Sequence, residues 1–156
     1  MAISRGAGTE IIRTHLFEAV STVGAGTPLI IGVQHHIYTV LSITFFCNAR
    51  SGTEDGHLKL LGWDSFAGES AQTIHISTIS LPANETFVWN DKFSFNGTEP
   101  TGVSGRFGAG DDAADLAYQN AIADQGGSAI QYLMLGMDST STTFDVTCTF
   151  IDQNNA

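Results

Sequence analysis

Thr140-Ser141-Thr142-Thr143-Phe144-Asp145-Val146-Thr147-Cys148-Thr149-Phe150-Ile151 is the stretch that decides the fold class, because Phe144, Val146, Cys148 and Phe150 alternate with Asp145, Thr147 and Thr149. Successive side chains of an extended chain point to opposite faces, so this period of two puts one side of a strand in a core and the other in water. Working outward, Ala71 to Leu81 shows the same alternation: Ile74 and Ile76 oppose His75 and Ser77, and Ile79 breaks the phase as a bulge would. In His36 to Cys47 both faces read as apolar, with Ile37, Leu41, Ile43 and Phe45 on one and Tyr38, Val40 and Phe46 on the other. That pattern predicts a strand buried on two sides.

Clusters of Gly, Pro, Asn and Ser divide the rest into short runs rich in Ile, Val, Thr, Phe and Tyr, the pattern of an all-β domain. Eight strands are predicted: Glu10 to Val20, Leu29 to Gln34, His36 to Cys47, His57 to Trp63, Ala71 to Leu81, Glu85 to Asn96, Ser128 to Met137 and Thr140 to Ile151. The expected architecture is a single β-sandwich or jelly-roll domain over residues 1–156. It has an N-terminal arm at 1–13 and a long loop at 97–127, in which Asp111 to Ala123 has the spacing of one short helix.

A chain of 156 residues supports one domain with a proper core. Charged residues make up only 14%, and 17 Gly, 17 Thr and 13 Ser occupy the space charges would normally take. Two lysines and four arginines against 16 acids leave a net charge of −10, which repels nucleic acid and anionic membranes alike. The start, Met-Ala-Ile-Ser-Arg-Gly, has no apolar run of signal-peptide length after its charge. Ala19 to Ala49 lacks any Asp, Glu, Lys or Arg, and Leu29 to Cys47 is long enough to cross a bilayer. Gln34, His35, His36, Thr39, Ser42 and Thr44 within it favour two buried strands instead.

The residues with chemical potential do not assemble into a motif. His15, His35, His36, His57 and His75 lack metal-ligand spacing. Cys47 and Cys148 match neither a zinc pattern nor a CxxC, and they read as buried free thiols, with a disulfide between them left open. Asp111, Asp112 and Asp115 could offer oxygen to calcium or complement a helix dipole. The Gly-Ala-Gly repeats at 6–8, 24–26 and 108–110 read as turns, as do Asn84-Glu85-Thr86 and Asn96-Gly97. Phe87, Val88, Trp89, Phe93 and Phe95 suit a core or a sugar-binding groove. No catalytic, cofactor-binding or metal-ligating set is therefore predicted.

Arg13-Thr14-His15-Leu16-Phe17-Glu18, the run Ile31 to Ile43 and the run Glu85 to Gly97 resemble small virion structural proteins of tailed phages, over roughly Glu10 to Thr98. Within that group the chain is most similar to head decoration, or cement, proteins. The resemblance implies a non-enzymatic protein on the outer surface of the virion head, made in the host cytoplasm, whose partners are the major capsid protein and further copies of itself, commonly as a trimer. The arm, with Ile3, Arg5, Ile11, Ile12 and Arg13, is expected to lie against another subunit. The competing readings are a tail, collar or fibre-knob component that binds a receptor or glycan, and a cupin-like metal enzyme.

Overall fold

The structure is a computed structural model that describes residues 8–64, 69–100 and 128–154. Eleven strands run through them: β1 (Thr9–Val20), β2 (Thr27–Ile31), β3 (His36–Ala49), β4 (Gly56–Asp64), β5 (Glu69–Ile79), β6 (Thr86–Trp89), β7 (Phe93–Asn96), β8 (Thr98–Pro100), β9 (Ser128–Ile130), β10 (Tyr132–Met137) and β11 (Thr143–Asn154). Among the described residues there is no helix, every strand pair is antiparallel, and the chain is all-β.

One sheet has the order β1-β11-β3, with β6 and β7 both laid along the far side of β3; the other has the order β2-β10-β4-β5. Odd and even strands enter the two sheets in turn from β1 to β4, and the last two strands return beside the first two. Between the sheets lies one core. Phe45, Ile43 and Val40 of β3 meet Phe144, Val146 and Phe150 of β11, with Leu58 of β4 and Leu133 and Leu135 of β10 opposite. Burying each of these large side chains is worth roughly 1.5–3 kcal/mol.

The alternation in β11 is borne out: Phe144, Val146, Cys148 and Phe150 are all buried. The phase break in β5 is a bulge, with a register shift that leaves Ile76 extra between Ser77 and His75. Two-sided burial of β3 is corrected. Val40 pairs with Phe150 and Ser42 with Thr149, so Leu41 is an extra residue in β3. It moves the core face from Tyr38 and Val40 onto Ile43, Phe45 and Cys47, and the opposite face is only half-buried. A bulge adds one residue to a period of two, which reads in sequence as apolar residues on both sides.

Other boundaries shift as well. The run Glu85 to Asn96 is two strands, β6 and β7, and Ser128 to Met137 is split at Gln131 into β9 and β10. Asn96-Gly97 is not a hairpin turn, because β7 pairs with β3 while β8 pairs with β9. Gly97 carries the chain between the two pairings, its N–H donating to His36 C=O at 2.8 Å and its C=O accepting from Gln131 N–H at 3.0 Å. The expected loop thus begins with a strand, β8. The helix predicted at Asp111 to Ala123 and the Asp111 to Asp115 cluster lie outside the described residues. Thr9 to Arg13 of the expected arm are the start of β1, held by pairing with residues 150–154.

Candidate functional site

β1 is an edge strand, paired only with β11, and the edge strand β2 of the other sheet lies beside it. Its sequence alternates as its position demands. Ile11, Arg13, His15 and Phe17 turn toward the sandwich, whereas Ile12 and Leu16 turn outward and are 69% and 74% exposed. The strand ends at an irregularity where Ala19 adopts φ +49° and donates its N–H to Asp145 Oδ1 at 2.8 Å.

The outer face of the β1-β11-β3 sheet follows from the register. One row reads Ile12, Ile151, Thr39 and Ser94; the next reads Thr14, Thr149 and Ser42; the third reads Leu16, Thr147, Thr44 and Val88. These three rows hold only aliphatic and hydroxyl side chains. Charged residues border them, with Glu10 at one end, Asp145 and Glu18 at the other, and exposed Asp91 and Lys92 in the link between β6 and β7 beside the middle row. Hydroxyls pair across the strands, Thr14 Oγ1 with Thr149 Oγ1 at 3.2 Å and Thr39 Oγ1 with Ser94 Oγ at 2.8 Å. Asp145 accepts a second hydrogen bond, from Asn48 Nδ2 at 2.6 Å.

The seam between β1 and β2 is a groove of about 520 Å³ lined by Thr14, His15, Leu16, Phe17, Pro28, Leu29 and Ile31. Ile31 and Val33 are exposed beside it. The groove lining carries no acid, in a chain whose net charge is −10. His15 ties the two edges together, donating from Nδ1 to Leu29 C=O at 2.9 Å and packing its ring edge-on to Phe150 at 4.9 Å.

At one end of the seam a smaller cavity of about 280 Å³ holds Arg13, His36 and Asp152. Asp152 continues the inward series of β11 by one more step, so a carboxylate, only 4% exposed, falls on the core face. Arg13 Nε donates to its Oδ2 at 2.9 Å and His36 Nδ1 to its Oδ1 at 2.6 Å, one partner from each flanking strand. A buried carboxylate is tolerable only when paired in this way.

The expected interface residues therefore separate. Ile12 is exposed on the outer face, Ile11 is half-buried, Arg13 is engaged with Asp152, and Ile3 and Arg5 lie outside the described residues. The histidines do not converge. His15 and His36 border the cavity at the seam, His35 sits at φ +64° in the turn before β3, and His57 and His75 lie on the other sheet with ring centres 6.1 Å apart. Among the described residues no group of three or more His, Cys, Asp or Glu is placed to hold a metal ion.

Cys47 and Cys148 are free and buried, on neighbouring strands but four positions apart in register, about 13 Å at the usual strand rise, which is beyond disulfide reach. Burial pushes the Cys148 thiol up to about 12, which removes it as a nucleophile. The aromatic run divides: Phe95 is in the core, Trp89 and Phe93 pack against it, and Phe87 stacks on Phe45 while staying partly exposed. No helix of the described residues is long and apolar enough to cross a membrane.

What fold and surface define is a two-layer, antiparallel β protein with an uncharged sheet face and an apolar seam between two edge strands. No protein-family model matches the chain, and a search of curated proteins returns no match.

Proposed function

We propose that the chain is a non-enzymatic structural protein of a tailed-phage virion, a capsid decoration protein that stabilises the head from outside by burying neutral β surface. The observation that carries this reading is the gathering of exposed aliphatic residues about β1 and β2, with no acid lining the groove between them, in a chain of net charge −10. Such a charge is tolerated on the outside of a shell and disfavoured against packaged nucleic acid. Exposed apolar area rimmed by polar residues is how assembly proteins bind without chemistry.

Strand order supports the same reading. The sheet β1-β11-β3-β6/β7 set against β2-β10-β4-β5 is consistent with the nesting of a jelly roll, an architecture recurrent in viral capsid and lectin domains and in cupins. The fold alone does not assign a role, so the weight rests on the surface. In this reading the seam takes the shell, with Leu16, Ile31 and Val33 at its margin.

Co-sedimentation of the purified chain with empty shells of the candidate phage tests the proposal. Saturable binding that Ile31→Asp weakens at least tenfold is expected. Absence of binding, or binding indifferent to Ile31→Asp and Val33→Asp in folded protein, would overturn it.

A further inference from the structure

We infer that the free edge of β1 is a strand-addition site, which takes an extended segment of the shell protein with apolar side chains at every second residue and a Lys or Arg near each end. The inference rests on the decoration reading for the source of the partner, and it names how that partner is held and by what chemistry.

The groove at the β1-β2 seam runs along a backbone edge. Its lining includes Thr14, His15, Leu16 and Phe17, consecutive residues of one strand. Neighbouring side chains of a strand point to opposite faces, so a hollow on either face would touch only every second one. A hollow that touches all of them lies beside the main chain. β1 pairs only with β11, in a register unbroken from Thr9 to Phe17. Along that length the N–H and C=O groups turned away from β11 line an open edge. A segment that displaces water there must answer those groups at strand spacing, which an extended chain does and a helix or a surface of side chains does not.

The opposite wall is closed to the same use. In β2, Pro28 has no N–H to offer, and the Leu29 C=O already accepts from His15 Nδ1 at 2.9 Å. That wall supplies apolar side chains instead, from Pro28, Leu29 and Ile31. The added strand therefore bonds to β1 and turns alternate side chains onto β2. Natural edges are commonly guarded by lysine, proline or an inward charge. Between Ile11 and Phe17 the sole charge is that of Arg13, which is answered by Asp152 at 2.9 Å.

Charge selects the ends of the partner. Glu10 and Glu18 are exposed at equal steps on either side of Thr14, about 27 Å apart at the usual strand rise. The groove between them has no acid in its lining, and the chain as a whole has net charge −10. A second copy would bring the same charge, and an acidic segment would meet a carboxylate at both ends. A segment with a cation near each end gains at both.

The test uses the capped peptide Lys-Val-Thr-Val-Thr-Val-Thr-Val-Lys as probe and reads amide hydrogen exchange of the full chain by NMR. In the free chain, alternate amides from Ile12 to Phe17 are expected to exchange fast. Saturating peptide is expected to slow them at least tenfold, with an affinity that falls as sodium chloride rises. The same peptide with proline in place of each threonine keeps its charge but cannot complete a ladder, and it should bind at least tenfold more weakly. The double variant Glu10→Lys, Glu18→Lys should lose at least tenfold in affinity for the probe. Its binding should return with the peptide that carries Glu at both ends, which shows that the variant is folded.

Slow exchange of these amides in the free chain, a probe that leaves them unchanged, or a proline peptide that binds equally well would overturn the inference. Shell binding is scored on the same samples. A chain that binds shells while its β1 amides stay fast sinks this inference alone, and a chain that takes the peptide at β1 but ignores shells sinks the decoration reading alone.

Discussion

Gly32 and Gly97 meet backbone to backbone: a methyl group on Gly32 would be driven into the Gly97 carbonyl, and one on Gly97 into the backbone of Val33. Gln131 completes the crossing, donating its N–H to Gly97 C=O at 3.0 Å and accepting from Gly32 N–H at 2.8 Å. Backbone cannot yield as a flexible side chain can, so Gly32→Ala or Gly97→Ala is expected to remove about 3 kcal/mol or more of stability. Gly52 has φ +60° but open space around it, so Gly52→Ala should show only the left-handed penalty of about 1–2 kcal/mol. Urea midpoints of the three variants check this, and equal losses would refute the crossing as the cause.

Asp152 joins three neighbouring strands through one carboxylate, since Arg13 comes from β1 and His36 from β3. Removing one partner of a buried pair leaves the other uncompensated. Arg13 is about half exposed, so water recovers part of that loss. Arg13→Met is therefore expected to cost about 1–3 kcal/mol and Asp152→Asn about 2–4 kcal/mol. The double variant should be less destabilised than the sum of the two, as a double-mutant cycle in urea would show. Strict additivity would mean that the pair contributes nothing as a pair.

The fold class was legible because β11 keeps a period of two from Phe144 to Phe150, enough to show a core face; in β5 the bulge at Ile76 breaks the pattern, and Ile74, expected on the core side with Ile76, is exposed. Pairing was not: β1 lies against β11 across a separation of 139 residues from Arg13 to Asp152, and local pattern says nothing about which distant strand will be a neighbour. The uncharged face was illegible for the same reason, because Ile12, Thr149, Thr44 and Val88 become neighbours only through register. Asp152 could have been found. Ending the last strand at Ile151 hid it, although one further step of the alternation places a carboxylate on the core face and calls for a cation from each side. Arg13 read as an interface residue because its charge is visible in sequence and its intramolecular partner is not.

Asp138 gives stability an acid-side dependence with a definite sign. The Asp55 N–H donates to Oδ2 at 2.9 Å and His57 Nε2 donates to Oδ1 at 2.8 Å; the backbone bond first, then the histidine, holds this carboxyl below its ordinary range. A carboxyl with a depressed folded value binds its proton more readily in the unfolded chain, so its contribution is present above the ordinary carboxylate range and is lost as pH falls through the folded value. Asp138→Asn should therefore melt lower than wild type at neutral pH, with the difference narrowing progressively below about pH 4. Melting curves at stepped pH check this, and a gap that widens in acid would contradict it.

The bulge in β3 makes deletions position-specific. Val40 and Ile43 both face the core with Leu41 and Ser42 between them, whereas flanking core residues are separated by one: Tyr38 from Val40, Ile43 from Phe45, and Phe45 from Cys47. Deleting Leu41 restores a plain period of two, returns every core side chain to the inner face and removes only the bulge. That chain is expected to fold, with a loss of about 1–2 kcal/mol from the altered local twist. Deleting Thr44 instead makes Ile43 and Phe45 adjacent. Phe45 and Cys47 are then turned to solvent, or the pairing of β3 with both β11 and β6 must slip, because a shift of one residue exchanges the two faces of a strand. The Thr44 deletion should consequently yield no cooperative melt, while the Leu41 deletion keeps a β-sheet circular dichroism spectrum and a single transition. Two deletions three positions apart, each removing one small or medium side chain from the same half-buried face, then separate a register requirement from a packing requirement. If both chains melt alike, the phase change at Leu41 is not what sets the inner face of β3.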